Sequence, residues 1–141
     1  MSASKHTMRA EAQIRAMIEA WAKAVRAQDI DGIMANHASD ILFFDVPPPV
    51  QLRGADAYRK SWDRFFEWFQ GSGVFGISEF KVNAGDDVAF CHGLIRCGGT
   101  DTNGEKVELT VRLTVGLRRI DGQWMVMHEH HSEPSQDPTR S

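Results

Sequence analysis

Five features of the sequence carry side chains able to do chemistry: Asp45 between Phe43 and Pro47, His92, Arg112, the run His128-Glu129-His130-His131, and Trp21. Asp45 ends an apolar, aromatic segment and shares strand parity with Phe43. A carboxylate placed there loses hydration, which raises its pKa toward that of a useful general base. The competing use is structural, since Asp commonly bonds backbone amides in a turn such as the one Pro47-Pro48-Pro49 must form. His128 and His130 are two residues apart, so one strand face presents both imidazoles, a spacing that metal sites use. A metal needs a third and usually a fourth ligand, and His92 supplies one only if its strand lies opposite. No metal is therefore expected, and the pair reads as histidines lining a wet cavity. His131 is expected to point the other way.

His92 falls on an apolar strand face. It reads there either as a hydrogen-bonded core histidine or, beside a carboxylate, as a group titrating near neutrality. Arg112 in mid-strand requires a carboxylate or an anionic ligand if it is buried; otherwise it marks a solvated face or an interfacial salt bridge. Trp21, Tyr58 and Trp62 read as core and pocket wall, and Trp21 and Tyr58 keep hydrogen-bond donors that can face a ligand. The sequence contains no Gly-rich phosphate loop, nucleophile elbow, CxxC or HExxH pattern.

The elements that position these groups follow from periodicity. Ile14, Met17, Ile18, Trp21 and Val25 recur at helical spacing and predict a helix over 8–28. A short second helix is expected over 32–38, after Asp29-Ile30-Asp31-Gly32 resets the phase. A strand over 41–46 must stop at the prolines, which cannot donate ladder hydrogen bonds. Beyond Gly54, Tyr58, Trp62, Phe65, Phe66 and Phe69 predict a third helix, closed by Gly71-Ser72-Gly73. Strands are expected over 75–83, 87–97, 105–119 and 123–132, with turns at Gly85-Asp86, Asn103-Gly104 and Asp121-Gly122. Helices first and a meander afterwards predict an α+β fold, with three N-terminal helices on one face of a strongly curved, mostly antiparallel sheet. Alternation assigns Trp124, Val126, His128, His130 and Ser132 to one face of the last strand, opposite Met125, Met127, Glu129 and His131. Apolar residues on both faces predict cover from the helices on one side and a second subunit on the other.

A chain of 141 residues makes one domain, expected over 8–132 with flexible tails at 1–7 and 133–141. Hydrophobic residues at 42% and charged residues at 25% match a folded globular chain. A net charge of -3 with no basic run argues against nucleic acid, and no apolar stretch is long enough to cross a bilayer. A cytoplasmic protein is expected. Cys91 and Cys97 fall in one strand, too far apart for a disulfide, and are expected reduced.

Four strings carry a resemblance: 27–33 (AQDIDGI), 39–45 (SDILFFD), 53–58 (RGADAY) and 119–130 (RIDGQWMVMHEH). Together they resemble the nuclear transport factor 2-like superfamily, in its SnoaL-like and ketosteroid-isomerase-like branch, over 10–132. The resemblance implies a cone-shaped fold, a homodimer and a deep apolar pocket for a small hydrophobic molecule, with no cofactor. It also implies that Asp45 occupies the position of the catalytic Asp of ketosteroid isomerases. Their oxyanion hole of Tyr and protonated Asp has no counterpart, since Trp21 stands at the Tyr position and no acid lies within 114–116. The implied catalytic groups are Asp45, His92, Arg112 and His128, with Trp21, Phe43, Tyr58, Trp62 and His130 around the substrate. The expected activity is an isomerase, cyclase or dehydratase acting by proton transfer on a small carbonyl or hydroxy compound. The alternative is a non-catalytic binding or dimerisation module.

Overall fold

The structure is a computed structural model and describes residues 4–135. Ser4 caps helix α1 (Lys5–Arg26) by accepting the Thr7 amide through its side chain. The apolar stripe read from the sequence is the buried one: Ile14, Ile18, Trp21 and Val25 pack inward, with Met17 partly buried beside them. Helix α2 (Ile30–Met34) starts earlier than the phase argument placed it, because the Asp29 side chain accepts the Gly32 amide at 3.1 Å and caps it. A Cβ on Gly32 would lie 2.8 Å from the Ala24 Cβ, so glycine permits α2 to sit this close to α1.

Ending α2 at Met34 frees residues 37–40, of which 37 and 38 are expected in that helix from spacing alone, to join β1 (His37–Phe44). A two-residue strand β2 (Leu52–Arg53) pairs back onto β1, and α3 (Ala55–Trp68) follows. The three helices are therefore not grouped at the N-terminus: α3 lies after the first two strands. The chain then runs through β3 (Gln70–Ala84), β4 (Val88–Thr100), β5 (Lys106–Ile120) and β6 (Gln123–Ser132). Residues 71–73, expected to end α3 as a turn, instead lie within β3.

The six strands form one mixed sheet in the order β2-β1-β6-β5-β4-β3, in which only β1 and β6 run parallel. Asp121 and Gly122 both have positive φ, the backbone that a two-residue hairpin loop demands, and they join β5 to β6. Ala89, Cys91, Ile95 and Cys97 on β4 and Val111, Leu113, Val115 and Leu117 on β5 make the inner face, which meets the helices in one core. Both cysteines are free and buried. No helix among the described residues is long and apolar enough to cross a membrane.

Candidate active site

One irregularity decides which part of β6 faces the core. Leu117 pairs with Val126 but Gly116 pairs with His128, so Met127 is an extra residue with no partner on β5. Trp124 and Val126 face inward before this bulge, and Glu129 and His131 face inward after it, opposite Val115 and Leu113. An uninterrupted alternation would have placed His128 and His130 there. His131 does point away from His128 and His130, but the face it shares with Glu129 is the core face, which alternation from Trp124 assigned to the other set.

Glu129 is only 1% exposed, and a lone carboxylate there would be prohibitive. It is satisfied from three elements. Tyr58 of α3 donates to Oε1 at 2.9 Å, Nε2 of His37 on β1 lies 2.7 Å from the same oxygen, and Nε2 of His131 lies 3.1 Å from Oε2. Trp21 of α1 donates to the Tyr58 oxygen at 3.1 Å, so the buried indole and phenol also find partners. Burial alone would raise the Glu129 pKa, but the hydrogen bonds and charges of His131 and His37 outweigh it and hold the carboxyl below its ordinary range. Burial likewise pulls His37 down, and the Glu129 bond and charge, with the Ala35 carbonyl, leave it raised. Burial and the Glu129 charge push Tyr58 well above the ordinary phenol value.

This network backs onto a cavity of about 540 Å³. Phe43, Trp62, Phe65, Phe75, Ile95 and Val111 belong to its apolar wall, and Asp45, Arg64, His131 and Glu133 bring charged or titratable groups to it. The mixture is that of a small-molecule site, mostly apolar with a few polar groups. Asp45 follows directly on β1. Burial raises its pKa; the His131 charge, the Val46 amide and Arg64 pull the other way without cancelling the rise. Its Oδ1 accepts the Val46 amide at 2.8 Å, so the capping use and the cavity position coexist in one side chain. Among the described residues no group of three or more His, Cys, Asp or Glu is arranged to hold a metal ion.

The residues singled out from the sequence divide between the two faces of the sheet. Asp45, Phe43 and Trp62 line the cavity, and Tyr58 and Trp21 lie buried in the network behind it. His92 is exposed on the outer face of β4, stacked on the exposed Phe90, because the apolar set of that strand is the solvent-facing one. Arg112 is also exposed, and its Nε donates to Ser132 Oγ at 3.1 Å. His128 is half-buried, its Nδ1 2.7 Å from the Leu42 carbonyl. His130 is exposed and borders a second recess shared with Asp45 and His131. Thus His92, Arg112 and His128 do not line the cavity; His131 does, with Glu129 and His37 buried behind it. A signal for the bulge is present in the sequence: Gly116, with no side chain to pack, interrupts β5 opposite the point where the apolar alternation of β6 gives way to histidines.

The family model of the SnoaL-like domain matches residues 14–136. The chain belongs to the SnoaL-like family. A nuclear transport factor 2-like protein of unknown function from Pseudomonas putida KT2440 is 40% identical, with 96% of this chain and 94% of that chain covered and a TM-score of 0.85. A ketosteroid isomerase-like protein from Erwinia carotovora atroseptica shares the fold at 22% identity, with a TM-score of 0.75 over 89% of this chain and 96% of its own. A cystatin-like fold protein of unknown function from Nostoc punctiforme does so at 13% identity, with a TM-score of 0.71 over 90% and 92%. No curated protein matches the chain. In this SnoaL-like domain, the position that the resemblance gives to the catalytic Asp is Asp45 at the cavity wall, whereas the nearest buried phenol, Tyr58, comes from α3 and is engaged by Glu129.

Proposed function

We propose that this SnoaL-like protein is a cofactor-free proton-transfer enzyme acting on a small hydrophobic carbonyl or hydroxy compound. The observation that carries the reading is that Asp45, with a pKa raised by burial, and His131, backed by a buried carboxylate, border the same aromatic cavity. Asp45 would remove a proton from carbon next to a carbonyl. The electron pair would move onto the carbonyl oxygen, and the resulting oxyanion would need a donor. Arg64 is the cavity group able to supply one, in the role that the sequence reading gave to His128 or Arg112, while His131 can relay a proton in the role given to His92. Returning the proton to a different carbon is isomerisation; expelling a neighbouring hydroxyl with a proton is dehydration.

The test is turnover. A panel of small apolar ketones and β-hydroxy carbonyl compounds should yield a substrate, and Asp45→Asn should cost about 100-fold or more in its kcat while leaving Tm nearly unchanged. Full activity in Asp45→Asn overturns the assignment. Ligand-induced thermal stabilisation without turnover across the panel would favour a binding module. The exposed Val88 and Phe90 on the outer sheet face support a homodimer, which sedimentation equilibrium would reveal.

A further inference from the structure

We infer that Glu129 is a positioning residue that holds His131 as its Nε2–H tautomer, leaving Nδ1 to meet the cavity ligand, with His37 as the buried imidazolium that balances the Glu129 charge. The inference rests on the reading of the cavity as a proton-transfer site, but its geometry stands apart from any substrate. His37 decides the proton count. Its Nδ1 lies 2.9 Å from the Ala35 carbonyl and its Nε2 lies 2.7 Å from the Glu129 carboxylate, both of which only accept when Glu129 is ionised. Each ring nitrogen must then carry hydrogen. The Tyr58 oxygen also lies 3.2 Å from this Nε2; with its hydrogen on Glu129 Oε1 and one lone pair taken by the Trp21 N–H, it too can only accept from Nε2.

Glu129 Oε1 is thereby filled by a phenol and an imidazolium, and Oε2 remains for His131 at 3.1 Å. A carboxylate oxygen accepts, so the His131 hydrogen must be on Nε2. That assignment makes Nδ1 the basic nitrogen of a ring that borders the cavity. Among the described residues, the titratable groups around the pair are Tyr58 from α3, His37 from β1, His131 from β6 and the buried Cys91 from β4, whose thiol the Glu129 charge helps push up; α1 contributes the neutral Trp21 donor. Asp45 feels both the His131 and Glu129 charges from the cavity side. Asp45 and His131 Nδ1 are thus two separate proton acceptors on one cavity, and His131 can hand a proton to a ligand oxygen only after Nδ1 has taken one from the ligand. Such a pair suits reactions in which Asp45 takes a proton from carbon while His131 accepts and relays a hydroxyl proton.

The experiment is a long-range proton–nitrogen correlation spectrum of the full chain at neutral pH, with resonances assigned through His131→Asn and His37→Asn. The expected result is an Nε2–H pattern with unprotonated Nδ1 for His131, and both nitrogens protonated for His37. Glu129→Gln, which sets an amide donor against one of the two rings, should shift His131 toward Nδ1–H or remove the His37 charge; Glu129→Asp should restore the wild-type pattern. An Nδ1–H pattern for His131 or a neutral His37 in the wild type overturns the inference, as does a Glu129→Gln spectrum unchanged at both rings. If Glu129→Gln does not fold, the wild-type spectrum alone decides. An inactive protein with the expected tautomer would sink the enzyme reading only, and an active one with the wrong tautomer would sink the positioning role only.

Discussion

The two faces of β6 use the same residue type for different ends. On the outer face His128 and His130 stand beside Phe44, and His92 and Arg112 lie on the same side of the sheet, open to solvent or lightly bonded. On the inner face His131 and its neighbour Glu129 are sealed against α1, α3 and β1, with His37 completing the charge balance. Neighbouring residues on one strand thus differ by a whole environment, and the extra residue at Met127 is what assigns them. A histidine's chemistry in this protein is set by the face it occupies rather than by how many others lie nearby.

The largest expected effect breaks the inner face. Glu129→Leu removes the carboxylate while leaving the His37 imidazolium buried without its counter-charge and the Tyr58 hydrogen without its acceptor, which should cost about 3–5 kcal/mol in urea denaturation. A loss near zero would mean that the inner charges are hydrated like the outer ones, and the contrast would collapse.

The next effect is a pH window. Glu129 has a depressed pKa, so its contribution is present above the ordinary value of 4.5 and is lost as pH falls through the depressed one. His37 has a raised pKa, so its contribution is present below 6.5 and is lost as pH rises through the raised value. The pair is therefore strongest between those two ordinary values. Asp45 is also raised, so it favours the folded state at acid pH and opposes it as pH rises through its folded value, a smaller contribution because it is less buried. Urea midpoints followed from acid to mildly alkaline pH should fall on the alkaline side in the wild type, and His37→Gln should flatten that fall. An equal fall in both proteins would assign it elsewhere.

The smallest effects belong to the outer face. His92→Ala and Arg112→Ala should each change stability by no more than about 0.5 kcal/mol, since both side chains are exposed. Ligand binding in the cavity should be unaffected, and titration of tryptophan fluorescence, with Trp62 and Trp68 in the cavity wall, would show it.

How much of this was legible in the sequence depended on whether periodicity ran unbroken. The α1 stripe and the inner set of β5 are regular, and both were read correctly from spacing. Asp45 was legible because a carboxylate closing an apolar strand is chemically conspicuous. Glu129 and His131 were not, because parity counted from Trp124 is valid only as far as the bulge at Met127. His37 was hidden for a different reason: the Asp29 cap starts α2 early, so a position read as helix belongs to a strand. The grouping of three helices at the N-terminus failed because the strand read over 41–46, here β1, already separates α3 from α1 and α2, and the two-residue β2 adds to that separation.

The central claim is that the inward-facing groups, and not the outward-facing ones, carry the chemistry. Its most direct test is the exchange of substrate α-protons in deuterated water, followed by nuclear magnetic resonance across one panel of ketones for the wild type and four single variants. The account predicts exchange by the wild type, His92→Ala and Arg112→Ala, and its loss in Asp45→Asn and His131→Gln. Exchange that survives in Asp45→Asn and disappears in His92→Ala or Arg112→Ala would contradict it.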